Sequence, residues 1–187
     1  LRIFNNFISL TLDNGTKTSI YSLQTAGTGD YRAEIFYNTI YLAGAHTGGT
    51  GGTIVTAGIV RSNTGDTSSY IAKNNIVVNR RTGGTTGAIN TGAFYGMPAT
   101  VGEVDLNFNS YFGLDSSAFH SGINGFVYNS ITQYRDSAAP HEQNSIFRNV
   151  NFVSGTDLHL SGTSVGDVQL TATPIGGITM DIDGELR

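Results

Sequence analysis

The sequence has no cysteine, no tryptophan, three prolines, and charge on only 13% of its 187 residues. The missing cysteines leave the redox compartment open, because disulfide-free secreted chains are common. The net charge is −4, and the ten basic residues are scattered apart from Arg80-Arg81. Proteins that hold nucleic acid carry a basic face, so that class of partner is excluded. No apolar run reaches the length of a membrane span. No window of a dozen residues keeps a clean helical period, and good helix formers never dominate one. A signal peptide is also lacking, since Leu1-Arg2-Ile3-Phe4 opens directly in strand-like sequence. The expectation is therefore a fragment of a longer chain.

What is present points to strands. The hydrophobic fraction is 39%, with ten Phe and nine Tyr, enough for a packed core. β-Branched and aromatic residues set among Gly and Asn turns give an all-β class.

Four segments resemble one another: Ile3–Leu12, Ile35–Gly44, Ile71–Arg80 and Asp105–Leu114. Aligned on Asn6, Asn38, Asn75 and Asn109 they recur at intervals of 32, 37 and 34 residues. Strand alternation then sorts the positions. With the Asn inward, so are Ile8, Ile40, Val77 and Tyr111, followed by Leu10, Leu42, Asn79 and Gly113. Phe7, Thr39, Ile76 and Ser110 point outward. A second strand follows in each unit, at Thr18–Leu23, Thr53–Val60, Gly87–Tyr95 and Ser121–Asn129, with Gly-rich loops between. A buried amide needs partners. Stacked repeats supply them, because each Asn can bond the Asn above and below. The spacing predicts a right-handed parallel β-helix, a solenoid with an Asn ladder and loop-decorated coils over 1–160, and an irregular closing segment over 161–187.

The C-terminal third carries a distinctive succession: Glu142 to Phe147, then Val150-Asn151-Phe152-Val153, then Thr156-Asp157-Leu158-His159-Leu160, and a tail Asp181-Ile182-Asp183-Gly184-Glu185-Leu186-Arg187. It resembles the closing coils of right-handed β-helix domains in large secreted and surface proteins of Bacteroidetes-type bacteria. In those an aromatic-Arg pair in a strand-loop precedes the closing coils, a place that Tyr134-Arg135 would take here. The resemblance implies fold and an extracellular or cell-surface location, not one activity.

Catalytic signals are thin. A lyase on this scaffold needs a basic side chain beside acids; Lys73 and Arg80 share a repeat, and Asp105 follows Lys73 by 32 residues. The bland alternative is an exposed charge pair at strand ends. A glycosidase needs grouped carboxylates, yet Asp13, Asp30, Glu34, Asp66, Glu103, Asp105 and Asp115 are dispersed. His159 reads as a strand-surface or stacking residue. Asp181-x-Asp183-Gly184 invites calcium, the one cofactor in view, but a tight turn with Asp capping backbone amides explains it as well. The expected function is a structural or adhesive module that offers ring faces such as Tyr41 and Tyr134, with Arg135, to glycans or partner proteins. Its first strands would contact a neighbouring domain or subunit. The alternative is a polysaccharide lyase or glycoside hydrolase of the β-helix type, or its carbohydrate-binding part.

Overall fold

The computed structural model describes residues 1–13, 20–25, 31–47, 55–61, 69–83, 89–95, 104–114, 119–120, 127–128 and 130–187. The chain is mainly β, built from a repeated strand–bend–strand unit. The first unit holds β1 (Arg2–Phe4), β2 (Phe7–Thr11) and β3 (Ile20–Thr25). The second holds β4 (Arg32–Phe36), β5 (Thr39–Ala43), β6 (Ala45–His46) and β7 (Val55–Arg61). The third holds β8 (Ser69–Lys73), β9 (Ile76–Asn79), β10 (Thr82–Gly83) and β11 (Ile89–Tyr95). In the fourth, β12 (Val104–Asn107) and β13 (Ser110–Gly113) are followed by a small antiparallel pair, β14 (Phe119–His120) and β15 (Val127–Tyr128). Helix α1 (Ile131–Ala138) and β16 (Ile146–Phe147) come next.

Equivalent strands pair in parallel. One sheet runs β1-β4-β8-β12, a second β2-β5-β9-β13-β16, and a third β3-β7-β11. Register holds along the repeat: Ile8 lies opposite Ile40, Ile40 opposite Val77, and Val77 opposite Tyr111. These side chains share one core with Leu23 and Ile59 from the third sheet and Ile35, Tyr70 and Leu106 from the first. Most are under 2% exposed, and each such aliphatic chain stabilises by about 1.5–3 kcal/mol relative to leaving it in water.

The bend between the first two strands of each unit is made by one residue in the left-handed region: Asn5, Tyr37, Asn74 and Phe108, with φ of 54°, 52°, 59° and 57°. That conformation reverses the side-chain alternation and turns the following Asn into the core. Leu42 and Asn79 fill the next inward column, both fully buried. Asn79 is accommodated because its amide donates to Thr56 O and Oγ1 while its oxygen accepts from Arg81 N–H. After β5 the chain turns at Gly44, φ 98°, where a Cβ would overlap the Leu12 carbonyl oxygen.

Several expectations are corrected. A helix exists: Ser130 caps it by accepting from Gln133 N–H at 3.2 Å, and Tyr134 and Ala138 bury its inner side. Its eight residues are too short to show a period in a dozen-residue window. Tyr134-Arg135 therefore sits on a helix, not in a strand-loop. The second strands are confirmed at β3, β7 and β11, but the fourth is replaced by the β14–β15 pair; 121–126 and 129 lie outside the described residues, as does most of the Gly-rich loops. Asp157 to Leu160 is a turn rather than a strand, with one bridge between Phe152 and Leu160. The parallel ladder ends at β16, so the irregular segment begins at Arg148, before the expected boundary at 161.

Candidate functional site

The four inward asparagines form a continuous hydrogen-bonded ladder. Asn6 Nδ2 donates to Asn38 Oδ1 at 2.8 Å, Asn38 Nδ2 to Asn75 Oδ1 at 3.1 Å, and Asn75 Nδ2 to Asn109 Oδ1 at 3.0 Å. The Oδ1 of Asn38, Asn75 and Asn109 also accepts the backbone N–H of the preceding Asn, and each of the four Nδ2 groups also donates to a strand carbonyl: Phe4, Ile3, Ile35 and Ala72 in turn. An amide that would be costly to bury alone is thus satisfied. Every rung donates the same way, so the last one needs an acceptor. Asn109 N–H finds Ser145 Oγ at 2.9 Å, and its Nδ2 finds Glu142 Oε2 at 3.3 Å.

Glu142 is wholly buried and has φ 58°. Its carboxylate also accepts from Tyr111 OH at 2.6 Å, Tyr134 OH at 3.1 Å and Ser145 Oγ. Burial pushes its pKa up, and these hydrogen bonds pull only part of the way back. The Tyr111 phenol is pushed well above its ordinary value by burial and by the neighbouring Glu142. The terminus of the ladder is therefore a closed polar knot among apolar side chains, roofed by α1.

From Arg148 onward the chain folds back as a strap across the outer face of the five-stranded sheet. Arg148 N–H bonds Tyr111 O, Arg80 reaches Asn149 and the Val150 carbonyl, Phe152 meets Tyr41 edge-on at 5.7 Å, and Ser9 Oγ donates to Gly155 O. The strap then follows the column of left-handed bend residues. Asn74 exchanges two hydrogen bonds with Thr173, Tyr37 OH donates to Thr173 O, and Ile175 and Ile178 pack on Phe36, Tyr37 and Ile71. Asn5 binds Met180 O and Arg187, whose guanidinium lies 3.9 Å from the Tyr37 ring centre. Thr39 and Ser110 point outward from the sheet as expected, yet the strap leaves them 8% and 5% exposed. Between strap and sheet lies a cleft of about 270 Å³, floored by Phe7, Thr39, Ile76 and Ser110 and rimmed by His159, Asp183 and Arg187.

At its rim His159 stands between two carboxylates, Nδ1 2.5 Å from Asp157 and Nε2 3.1 Å from Asp183, with its ring 4.9 Å from Phe7. Both acids raise its pKa, Asp157 first. Asp181 Oδ1 accepts from the N–H groups of Asp183 and Glu185, the capped tight turn. Among the described residues, no group of three or more His, Asp or Glu is placed to hold a metal ion.

The structure brings Lys73 and Asp105 together at 2.5 Å on neighbouring strands β8 and β12, while Arg80 lies at the far end of β9, tied to the strap. Tyr41 is half-buried under Phe152, Tyr134 is a core residue on Glu142, and Arg135 donates to Ser145 O. Asp13 caps Ala45 N–H, and Glu34 pairs with Arg2 and Arg32; Asp30, Asp66, Glu103 and Asp115 lie outside the described residues. Glu142 and the Asp157–His159–Asp183 cluster were not legible as a site. One signal existed: Ser145 follows Asn109 by 36 residues, a further repeat interval. Among the described residues no helix is long and apolar enough to cross a membrane. No family model, curated protein or solved structure matches the chain.

Proposed function

We propose that the three parallel sheets close into a right-handed β-helix that serves as a non-catalytic structural or adhesive module of a bacterial surface or secreted protein. The observation that carries this reading is the ladder: a row of hydrogen-bonded amides running through every repeat and sealed at one end by Glu142. Such a column fixes the register of each layer and stiffens the stack, which suits a spacer or display scaffold. The opposite end is built for contact. β1, β2 and β3 are sheet edges, Leu1 and Phe4 are exposed, and Asn6 Oδ1 has no donor among the described residues. An edge of this kind fits another β layer from a neighbouring domain or subunit. Glycans or partner proteins would meet the solvent faces that the strap leaves uncovered.

The second reading, a polysaccharide-cleaving enzyme or its binding half, rests on the Lys73–Asp105 contact across adjacent strands. One experiment separates the two. The protein is incubated with a panel of neutral and uronate polysaccharides, and reducing ends, unsaturated uronate and retention on immobilised glycan are measured. Retention without new ends fits the adhesive reading. New ends that disappear in K73A would establish the enzyme.

A further inference from the structure

We propose that His159 is a pH-sensitive latch that fastens the terminal hairpin, residues 180–187, over the cleft and releases it when the ring loses its proton. The geometry requires the charged ring. Nδ1 faces Asp157 Oδ1 at 2.5 Å while Nε2 faces both Asp183 oxygens at 3.1 and 3.2 Å. Carboxylates only accept, and only the imidazolium donates from both nitrogens. A neutral ring therefore turns a lone pair toward one of them.

Which contact is lost follows from the chain. Asp157 is two residues away in the same turn and also accepts His159 N–H, so it stays in place. Asp183 is 24 residues away on the hairpin closed by the Met180–Leu186 bridge. The ring itself is held on β2 by its edge contact with Phe7. Beside Asp157 on its own turn, the charged or titratable groups lining the same cleft as the ring are Asp181, Asp183 and Arg187 on the hairpin and Tyr37 on the sheet side. Arg187 is occupied by Asn5 and the Tyr37 ring.

Both carboxylates hold the imidazole above its ordinary value. A raised cationic group contributes fully below its unfolded value of about 6.5 and loses that contribution as pH climbs through the folded value. The latch is thus shut in mildly acidic solution and opens as pH climbs through the raised imidazole value. Opening gives water access to the cleft floor, where the buried Ser110 hydroxyl has no hydrogen-bond partner among the described residues.

The test is hydrogen exchange of the intact chain from about pH 6 to about pH 9, a range spanning the ordinary imidazole value of about 6.5. The His159 ring is titrated in parallel by NMR. Protection factors for 180–187 should fall roughly two- to fivefold across the His159 titration, the scale of an exposed ion pair, while Ile40 and Val77 stay unchanged. D183N should show the lower protection at every pH, and H159F, which keeps a ring against Phe7, should do the same. Hairpin protection that stays flat while His159 titrates would overturn the proposal, as would a pH step that survives in D183N.

Discussion

Replacing Asn75 by alanine tests the ladder where it is most buried. Among the described residues its oxygen alone accepts Asn38 N–H, at 3.1 Å, and it also receives Asn38 Nδ2. Its own Nδ2 serves Ile35 O and Asn109 Oδ1. After truncation Asn38 Nδ2 keeps Ile3 O, and Asn109 Oδ1 keeps Asn75 N–H. One buried N–H is left with nothing, costing about 1–3 kcal/mol, and weakened neighbours add about 1 kcal/mol. The expected loss is about 3 kcal/mol. With a urea slope of about 2–3 kcal/mol per molar, the midpoint falls by about 1 M at unchanged slope. Asn6→Ala is the internal control: it removes an exposed rung and leaves Asn38 Oδ1 bonded to Asn6 N–H, so about 1 kcal/mol or less is expected. Urea unfolding followed by far-UV circular dichroism measures both. Equal losses in the two variants would refute the reasoning, because buried and terminal rungs would then be energetically alike.

Three further outcomes follow. Glu142 has a folded pKa raised by burial, so its own contribution to stability is greatest below its unfolded value of about 4.3 and declines as pH rises toward the folded one. Glu142→Gln should remove that decline; a wild-type-minus-variant difference that stays flat with pH in urea titrations would contradict it. Gly44→Ala places a side chain against the Leu12 carbonyl at φ 98°. The backbone conformation alone should cost about 1–2 kcal/mol, read as a lower melting temperature. Phe152→Ala removes an edge contact between strap and sheet worth about 0.5–1.5 kcal/mol beyond its buried area; limited proteolysis should cut the strap sooner while leaving the sheets intact.

The repeat was legible because it is written in local alternation and in one residue type. Asn6, Asn38, Asn75 and Asn109 recur in the same strand frame, and the pairing of Ile8, Ile40, Val77 and Tyr111 follows from period two. Half of the bend column was hidden. Asn5 and Asn74 are residues that tolerate left-handed backbone, but Tyr37 and Phe108 carry no such signature. The strap was not legible at all. Its partners lie up to 182 residues apart, as Arg187 and Asn5 do, and no periodicity encodes a contact of that range. This is also why nothing in the sequence showed the cover over the outward residues: Thr39 and Ser110 point outward, and only the fold shows what lies on them. Glu142 escaped notice because its partners Tyr111 and Asn109 belong to another repeat.

That same strap sets an order of events. Each repeat touches the one before it, so the stack can grow layer by layer with short loop closures. The strap is different, because its binding surface spans Asn5, Tyr37 and Asn74 and exists only once three layers are assembled. It must join last. Contacts that form after the rate-limiting step slow unfolding and leave refolding untouched. Removing the contacts of the segment that adds least to the regular architecture is therefore expected to shorten the life of the finished molecule without slowing its formation.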